Sequence, residues 1–293
     1  MSKLDKKGNF VYHETKFNSG YSKNAKICES KIYTGENGYS FYYESNGKEY
    51  LSQFKDEGAD LKEGALNDSN DLIASILALK NGKIFYAGIK EQKAGFSKSI
   101  IELKILDPAT QNIIFTLSLN TSDSYDKFVS CAELAYNEVY CAYVQKENIS
   151  SSLLKIQYFK VSSTGVITQG SPNLIKSFNA QFNSLKLIKI IYNRIGLFFQ
   201  IGDIGKTEKN LYYFDLHVTP FSFTILGYEY IFDHCLYKTD VNDYTNDLIA
   251  VSENIIYAIC EKDNNGKDAI GFQLIKINAQ KKTLRKNTFG IPR

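Results

Sequence analysis

Apolar residues in this chain alternate with polar ones in short runs broken by turn-forming clusters, and no stretch keeps the 3.6-residue period of an amphipathic helix. The same unit recurs five times. Two apolar segments are joined by a tight turn, and a charged or glycine-containing turn leads to a third. The second segments are Tyr39 to Tyr43, Ile84 to Gly88, Val139 to Tyr143, Ile195 to Phe199 and Ile255 to Ile259. Counted from Phe41, Ile84, Val139, Ile195 and Ile255, the units are spaced by 43, 55, 56 and 60 residues. Repeats of a four-stranded blade run about 40–50 residues, with loop insertions above that.

Each second segment has neighbours on both sides. The first strands are predicted over Cys28 to Thr34, Leu72 to Leu79, Phe128 to Leu134, Leu185 to Ile191 and Leu248 to Ser252. The third strands are predicted over Tyr50 to Phe54, Ile100 to Leu106, Leu153 to Val161, Leu211 to Val218 and Ile270 to Ile277. A less apolar fourth strand follows at Ile113 to Leu119, Val166 to Gln169 and Phe221 to Leu226, as expected of an outer, exposed strand. Asn81-Gly82 and Asn37-Gly38 carry the residues of a type I′ hairpin turn, which needs positive φ at both central positions. Two first strands open on nearly the same words, Asn70-Asp71-Leu72-Ile73-Ala74 and Asn246-Asp247-Leu248-Ile249-Ala250.

On these units the chain resembles the β-propeller superfamily along essentially its whole length. The resemblance is architectural, because the Trp-Asp, paired-glycine kelch and aspartate-box signatures are all missing. It implies an all-β β-propeller of five blades with three to four antiparallel strands each. Part of a larger propeller and a large β-sandwich are the alternatives. The domain reading is one propeller over 1–293, with blades at 28–70, 71–125, 126–182, 183–246 and 247–293. Residues 1–27 form an N-terminal extension or, through Phe10 to Thr15, a strand closing the last blade and removing an open edge.

Composition narrows the function classes. The net charge of +3 over 293 residues, with both signs interspersed, gives no field to gather nucleic acid. No apolar run reaches the ~20 residues of a membrane-crossing helix. The charged start Met1 to Lys7 is no secretory signal, so the chain is either cytoplasmic or targeted by a segment outside it. Met1 is the only methionine, which suits an oxidising setting and leans the reading toward the extracellular space or cell surface.

Chemistry-bearing residues are few. Cys131 and Cys141 fall opposite each other if the segment folds as a hairpin near Tyr136, close enough for a disulfide. Two buried thiols are the alternative. Cys235 and Cys260 offer a second bridge, leaving Cys28 unpaired. No spacing suits zinc, and no cofactor is implied.

Asp71, Asp126 and Asp247 each stand at the head of a first strand. There they would ring one mouth of a propeller channel, ready to hold a divalent cation or to cleave a glycoside with two carboxyls. Lys26 and Asn183 break that pattern in the other two units. The competing account is that Asp and Asn start strands by hydrogen-bonding their own backbone.

Gly202 to Thr207 imitates a phosphate loop, but with two residues between its glycines instead of four and no helix to follow. Lys262 to Asp268 lacks calcium-loop spacing and reads as a solvated turn. Sequons at Asn67, Asn120 and Asn148 match chance in a chain rich in Asn and Ser. His13, His217 and His234 sit in no catalytic context.

The leading expectation is therefore a non-enzymatic binding or scaffold module. Its loop faces would meet protein or glycan, with tyrosines as contact residues and no nucleic acid or membrane insertion involved. A carbohydrate-active enzyme with an acidic site at the channel mouth is the second reading, and a structural component of a larger assembly the third.

Overall fold

The structure is a computed structural model. It describes backbone at 2–4, 10–13, 26–31, 37–45, 48–55, 60–66, 71–92, 98–110, 112–119, 123–147, 151–191, 193–202, 209–232, 244–252, 255–263, 268–276 and 285–289. Side chains are described within 74–90, 99–119, 123–147, 151–202 and 212–226, apart from 111, 126, 127, 148–150, 183 and 192. Every regular element among the described residues is a strand. None of them forms a helix long and apolar enough to cross a membrane.

After a short hairpin of β1 (Ser2–Leu4) and β2 (Phe10–His13) come five antiparallel sheets, each built in chain order. The first is β3 (Lys26–Lys31), β4 (Asn37–Ser45), β5 (Lys48–Lys55) and β6 (Asp60–Leu66). The second is β7 (Asp71–Ala78), β8 (Ile84–Gln92), β9 (Lys98–Asp107) and β10 (Asn112–Ser118). The third is β11 (Ser124–Ala135), β12 (Glu138–Lys146), β13 (Ser152–Val161) and β14 (Ile167–Gln169), with β15 (Asn173–Phe178) also paired to β13. The fourth is β16 (Gln181–Ile191), β17 (Arg194–Gly202), β18 (Lys209–Val218) and β19 (Phe223–Phe232). The fifth is β20 (Tyr244–Ser252), β21 (Ile255–Asp263), β22 (Asp268–Lys276) and β23 (Arg285–Phe289).

The chain divides into two compact units, 1–122 with 161–168, and 123–160 with 169–293. In the first unit β3 packs beside β7, so two sheets meet through their first strands. In the second, β16 packs beside both β11 and β20, which makes three first strands consecutive neighbours.

Burial follows position within a sheet. The second strands β12 and β17 are buried almost throughout, because both of their faces are covered. The outer strand β10 alternates between exposed and half-buried residues. In the second unit, Ala132, Leu134, Tyr140, Ala142, Val144, Leu154 and Ile156 of the third sheet pack on Leu187, Ile195, Leu197, Phe199, Phe214 and Leu216 of the fourth. Phe199 anchors this layer, its ring 5.3 Å from Phe178 and stacked on Tyr212 at 5.4 Å. Fully burying one such aromatic contributes about 1.5–3 kcal/mol.

Phe10–His13, the segment considered for ring closure, pairs with Ser2–Leu4. Two local turn expectations need correction. Asn37 and Gly38 lie inside β4, opposite Lys31 and Ser30, and are not turn residues. At Asn81-Gly82 only the glycine takes positive φ, +82°. Gly82 N–H donates to Leu79 C=O and Leu79 N–H to Lys83 C=O, both at 2.9 Å, a turn closed by a left-handed glycine and not a type I′ pair. Gly165, at φ +92°, closes the turn from Ser162 to Val166 in the same way.

Candidate functional site

Four of the five first strands have a register irregularity near their heads. In β7 the register slips between Ile73 and Ser75, leaving Ala74 unpaired. In β11 the slip falls between Tyr125 and Val129, and in β16 between Phe182 and Ser184. In β20 it falls between Thr245 and Asp247. Such bulges bend a strand and re-aim its side chains, and they concentrate beside active sites. Among the described residues, β3 pairs regularly with β4 from Lys26 opposite Tyr42 onward.

The aspartates sit at or near these bulges. Asp71 opens β7 opposite Lys90. Asp126 lies inside the bulged stretch of β11, and Asp247 follows the bulged Asn246 of β20, opposite Ile259. Asn183 is the bulged residue of β16. The side chains of these four residues lie outside the described residues. The second unit thus brings Asp126, Asn183 and Asp247 to the heads of three neighbouring strands. Asp71 holds the corresponding place in the first unit.

The strand carrying Asp126 is held from two sides. Cys131 and Cys141 occupy directly paired positions of β11 and β12 and form a disulfide, with Cα atoms 4.0 Å apart. This is the bridge the hairpin reading allowed. On the other edge, β11 and β16 belong to different sheets, and side chains link them where no ladder exists. Buried Ser130 Oγ accepts Leu187 N–H at 2.9 Å, and Lys189 Nζ donates to Leu134 C=O.

Next to Asp126 a buried polar chain runs into the sheet. Tyr125 O–H points at Asp123 Oδ2, 3.4 Å away, and its ring meets Tyr143 edge-on at 5.6 Å. Tyr143 O–H donates to Gln157 Oε1 at 2.8 Å. Gln157 Nε2 in turn donates to Gly170 C=O at 2.8 Å and to Gln169 Oε1 at 3.2 Å. Burial pushes both phenols well above their ordinary value, and the Asp123 charge adds to this for each. They therefore remain neutral hydroxyl groups through the working range of an enzyme.

Sequence reasoning missed Ser130, Tyr143 and Gln157. The available signal was a polar residue at a core-facing position of an otherwise apolar strand, which ordinarily means a partner across the packing interface.

The other candidate residues are placed as follows. Gly202 ends β17 opposite Lys209, the first residue of β18, so the glycine-lysine stretch is a strand-to-strand connection with no helix after it. Asp263 and Asp268 face each other where β21 turns into β22. The side chains of Cys28, Cys235 and Cys260, the three sequons and His234 lie outside the described residues. His217 is exposed on β18. Among the described residues no group of three or more His, Cys, Asp or Glu gathers as a metal site would require.

No family model matches the sequence, and no curated protein matches it. Solved structures do match in shape. A levansucrase complexed with sucrose aligns at TM-score 0.55 and 10% identity, covering 90% of this chain and 86% of its own. A Bacillus megaterium levansucrase variant aligns at TM-score 0.56 and 9% identity, covering 92% and 88%. A Bacillus subtilis levansucrase in complex with oligosaccharides aligns at TM-score 0.54 and 8% identity, covering 94% and 89%.

Levansucrases are five-bladed β-propellers, and the all-β chain described here has the β-propeller fold. The comparison also overturns the expectation of a non-enzymatic binding or scaffold module, since the neighbours are carbohydrate-active enzymes. That expectation rested on what propeller loop faces commonly do.

Proposed function

We propose that this protein is a carbohydrate-active enzyme that cleaves a glycosidic bond, with a sucrose-like fructoside as its first candidate substrate. The observation that carries this reading is the alignment of about nine-tenths of the chain with levansucrases, including ones holding sucrose or oligosaccharides. Asp126 and Asp247 are the acids of choice, at the heads of first strands that share β16 as a neighbour.

Glycoside cleavage requires two carboxyl groups in different states. One, protonated, gives its proton to the departing glycosidic oxygen as the bond to the anomeric carbon breaks. The other, ionised, forms the new bond to that carbon or activates the water that does. Bulges near the strand heads suit this task, because a bulge bends its strand locally while the flanking ladder holds it. A disulfide-stapled hairpin also suits an oxidising compartment, where extracellular saccharides are met.

The test is reducing-sugar release from sucrose by the purified protein. Asp126→Asn and Asp247→Asn should each lower the rate by about 10²–10⁴-fold. Asp71→Asn, assayed alongside, decides whether the third strand-head acid takes part. Inactivity of the wild-type protein on sucrose and on a panel of fructans and aryl glycosides would overturn the proposal, as would full activity in both asparagine variants.

A further inference from the structure

The first-strand heads occupy one end of the third and fourth sheets, and a different chemistry gathers at the other. The Ser130–Leu187 and Lys189–Leu134 hydrogen bonds hold β11 and β16 side by side in the same direction. The turns after β11 and after β16 therefore share an end. Val218 N–H donates to Asn193 C=O at 2.9 Å, which brings the turn between β18 and β19 to that end as well. A Cβ placed on Gly170, just past β14, would lie 3.3 Å from Pro220 C=O and 3.6 Å from Tyr158, so the third sheet abuts this turn. A strand rises about 3.3 Å per residue, which puts roughly 30 Å of strand between Asp126 and Tyr136.

Two aromatic rings are displayed at this end. Tyr136 is 61% exposed in the β11–β12 turn, and Phe221 is 89% exposed in the β18–β19 turn. Both turns are tied down. The first closes a disulfide-bridged hairpin, and Asn137 N–H donates to Glu133 Oε1 at 2.9 Å. In the second, Thr219 N–H donates to Ser222 C=O at 2.8 Å and Ser222 N–H to Thr219 Oγ1 at 3.1 Å. An aromatic side chain already held in place loses little freedom on binding. Beside Tyr136, Asn137 is 5% exposed, yet its Oδ1 has no hydrogen-bond partner among the described residues. Such an acceptor calls for a donor from outside the chain. Ionic groups at this end are largely engaged internally: Arg194 with Asp215, Lys189 with Leu134 C=O, and Glu138 with the Tyr158 hydroxyl. The turns therefore offer rings and uncharged polar groups, which match a neutral, hydroxyl-rich ligand better than an acidic or basic one.

We propose that this end of the third and fourth sheets is a second saccharide-binding surface, on which Tyr136 and Phe221 stack against sugar rings of a neutral polysaccharide and Asn137 Oδ1 accepts a sugar hydroxyl; the ligand class rests on the function proposed above. Holding one stretch of a long chain here raises the effective concentration of its other stretches at the strand heads.

The test is native affinity electrophoresis of the full chain through gels cast with inulin, starch or xylan. The variants are Tyr136→Ala, Phe221→Ala, their double variant, Asn137→Gly and the control Ile114→Ala, an exposed apolar residue of the other unit. Changes at exposed ring positions leave stability nearly untouched, and Asn137→Gly keeps the left-handed φ of +60° while removing the acceptor. Wild type and Ile114→Ala should be retarded alike by at least one polysaccharide. Each single variant at Tyr136, Phe221 or Asn137 should bind about tenfold more weakly, and the double variant should lose retardation. Equal retardation of wild type and the double variant overturns the inference, as does wild type passing all three gels unretarded. A wild-type dimer that the double variant loses in sedimentation, with no retardation of either, assigns the rings to a contact between copies and also overturns it. Glycoside cleavage is assayed separately. Ring-dependent retardation without cleavage sinks the enzyme reading and leaves this surface standing; cleavage with ring-independent retardation does the reverse.

Discussion

The Tyr143 hydroxyl reaches across β12 and β13 to Gln157 Oε1, 2.8 Å away, with both residues almost wholly buried. Tyr143→Phe removes the donor and leaves a buried amide oxygen without it, which costs about 1–3 kcal/mol. Urea denaturation should show that loss. The double variant Tyr143→Phe with Gln157→Leu should lose less than the sum of the single variants, because no orphaned polar atom remains.

The same burial dictates behaviour in alkali. A phenol whose pKa is raised by folding stabilises the native state fully below its unfolded value, near 10, and that contribution is lost as pH climbs toward the folded value. Stability should therefore fall above about pH 10. In spectrophotometric titration, Tyr125 and Tyr143 should ionise only together with unfolding, after exposed tyrosines such as Tyr136. Early ionisation of the full tyrosine complement would contradict this.

Arg194 and Asp215 form a two-bonded ion pair across β17 and β18, with Nε to Oδ1 at 2.7 Å and Nη2 to Oδ2 closing the fork. Both are mostly shielded from water, so removing one partner leaves the other charge poorly solvated. Asp215→Asn should cost about 3 kcal/mol. Arg194→Lys should recover only part of the pair, since an ammonium cannot match the fork. Equal midpoints for Arg194→Lys and wild type in guanidinium would refute the point.

Two glycines separate backbone strain from crowding. At Gly82 an added Cβ would meet nothing within 4 Å, so Gly82→Ala should cost only the left-handed backbone strain of about 1 kcal/mol. At Gly165 the same Cβ would lie 2.5 Å from Ile114 Cδ1 and 3.2 Å from Ile105 Cγ2. Gly165→Ala should then exceed Gly82→Ala by up to about 1 kcal/mol in thermal denaturation, as overpacking adds to strain.

The sheets were legible in the sequence because strand period and turn chemistry are local. Val139 to Tyr143 and Ile195 to Phe199 fall within β12 and β17. The Cys131–Cys141 pairing was legible for the same reason, since a hairpin fixes its register within ten residues. Asn81-Gly82 misled at a finer level. The dipeptide names a turn, while the closing bonds among Leu79, Gly82 and Lys83 decide its type.

The Ser130–Leu187 link was beyond sequence reasoning, because it joins residues 57 apart across two sheets with no ladder between them. The scaffold reading failed for a different reason: it was overturned by likeness of fold to carbohydrate-active enzymes at about 10% identity, which no local motif of the sequence carries.

The bridge between Cys131 and Cys141 also reports on register. Side chains along a strand alternate between faces, so a slip of one residue in the β11–β12 hairpin would turn Ala132 and Leu134 from the core to the opposite face. In that slipped hairpin Cys131 would stand opposite Tyr140 or Ala142, and no disulfide could form. Oxidation thus selects the one alignment that pairs Cys131 with Cys141, and the hairpin needs no other part of the chain to be right first. Under oxidising conditions the bridge can commit the register of this hairpin before β16 docks against it.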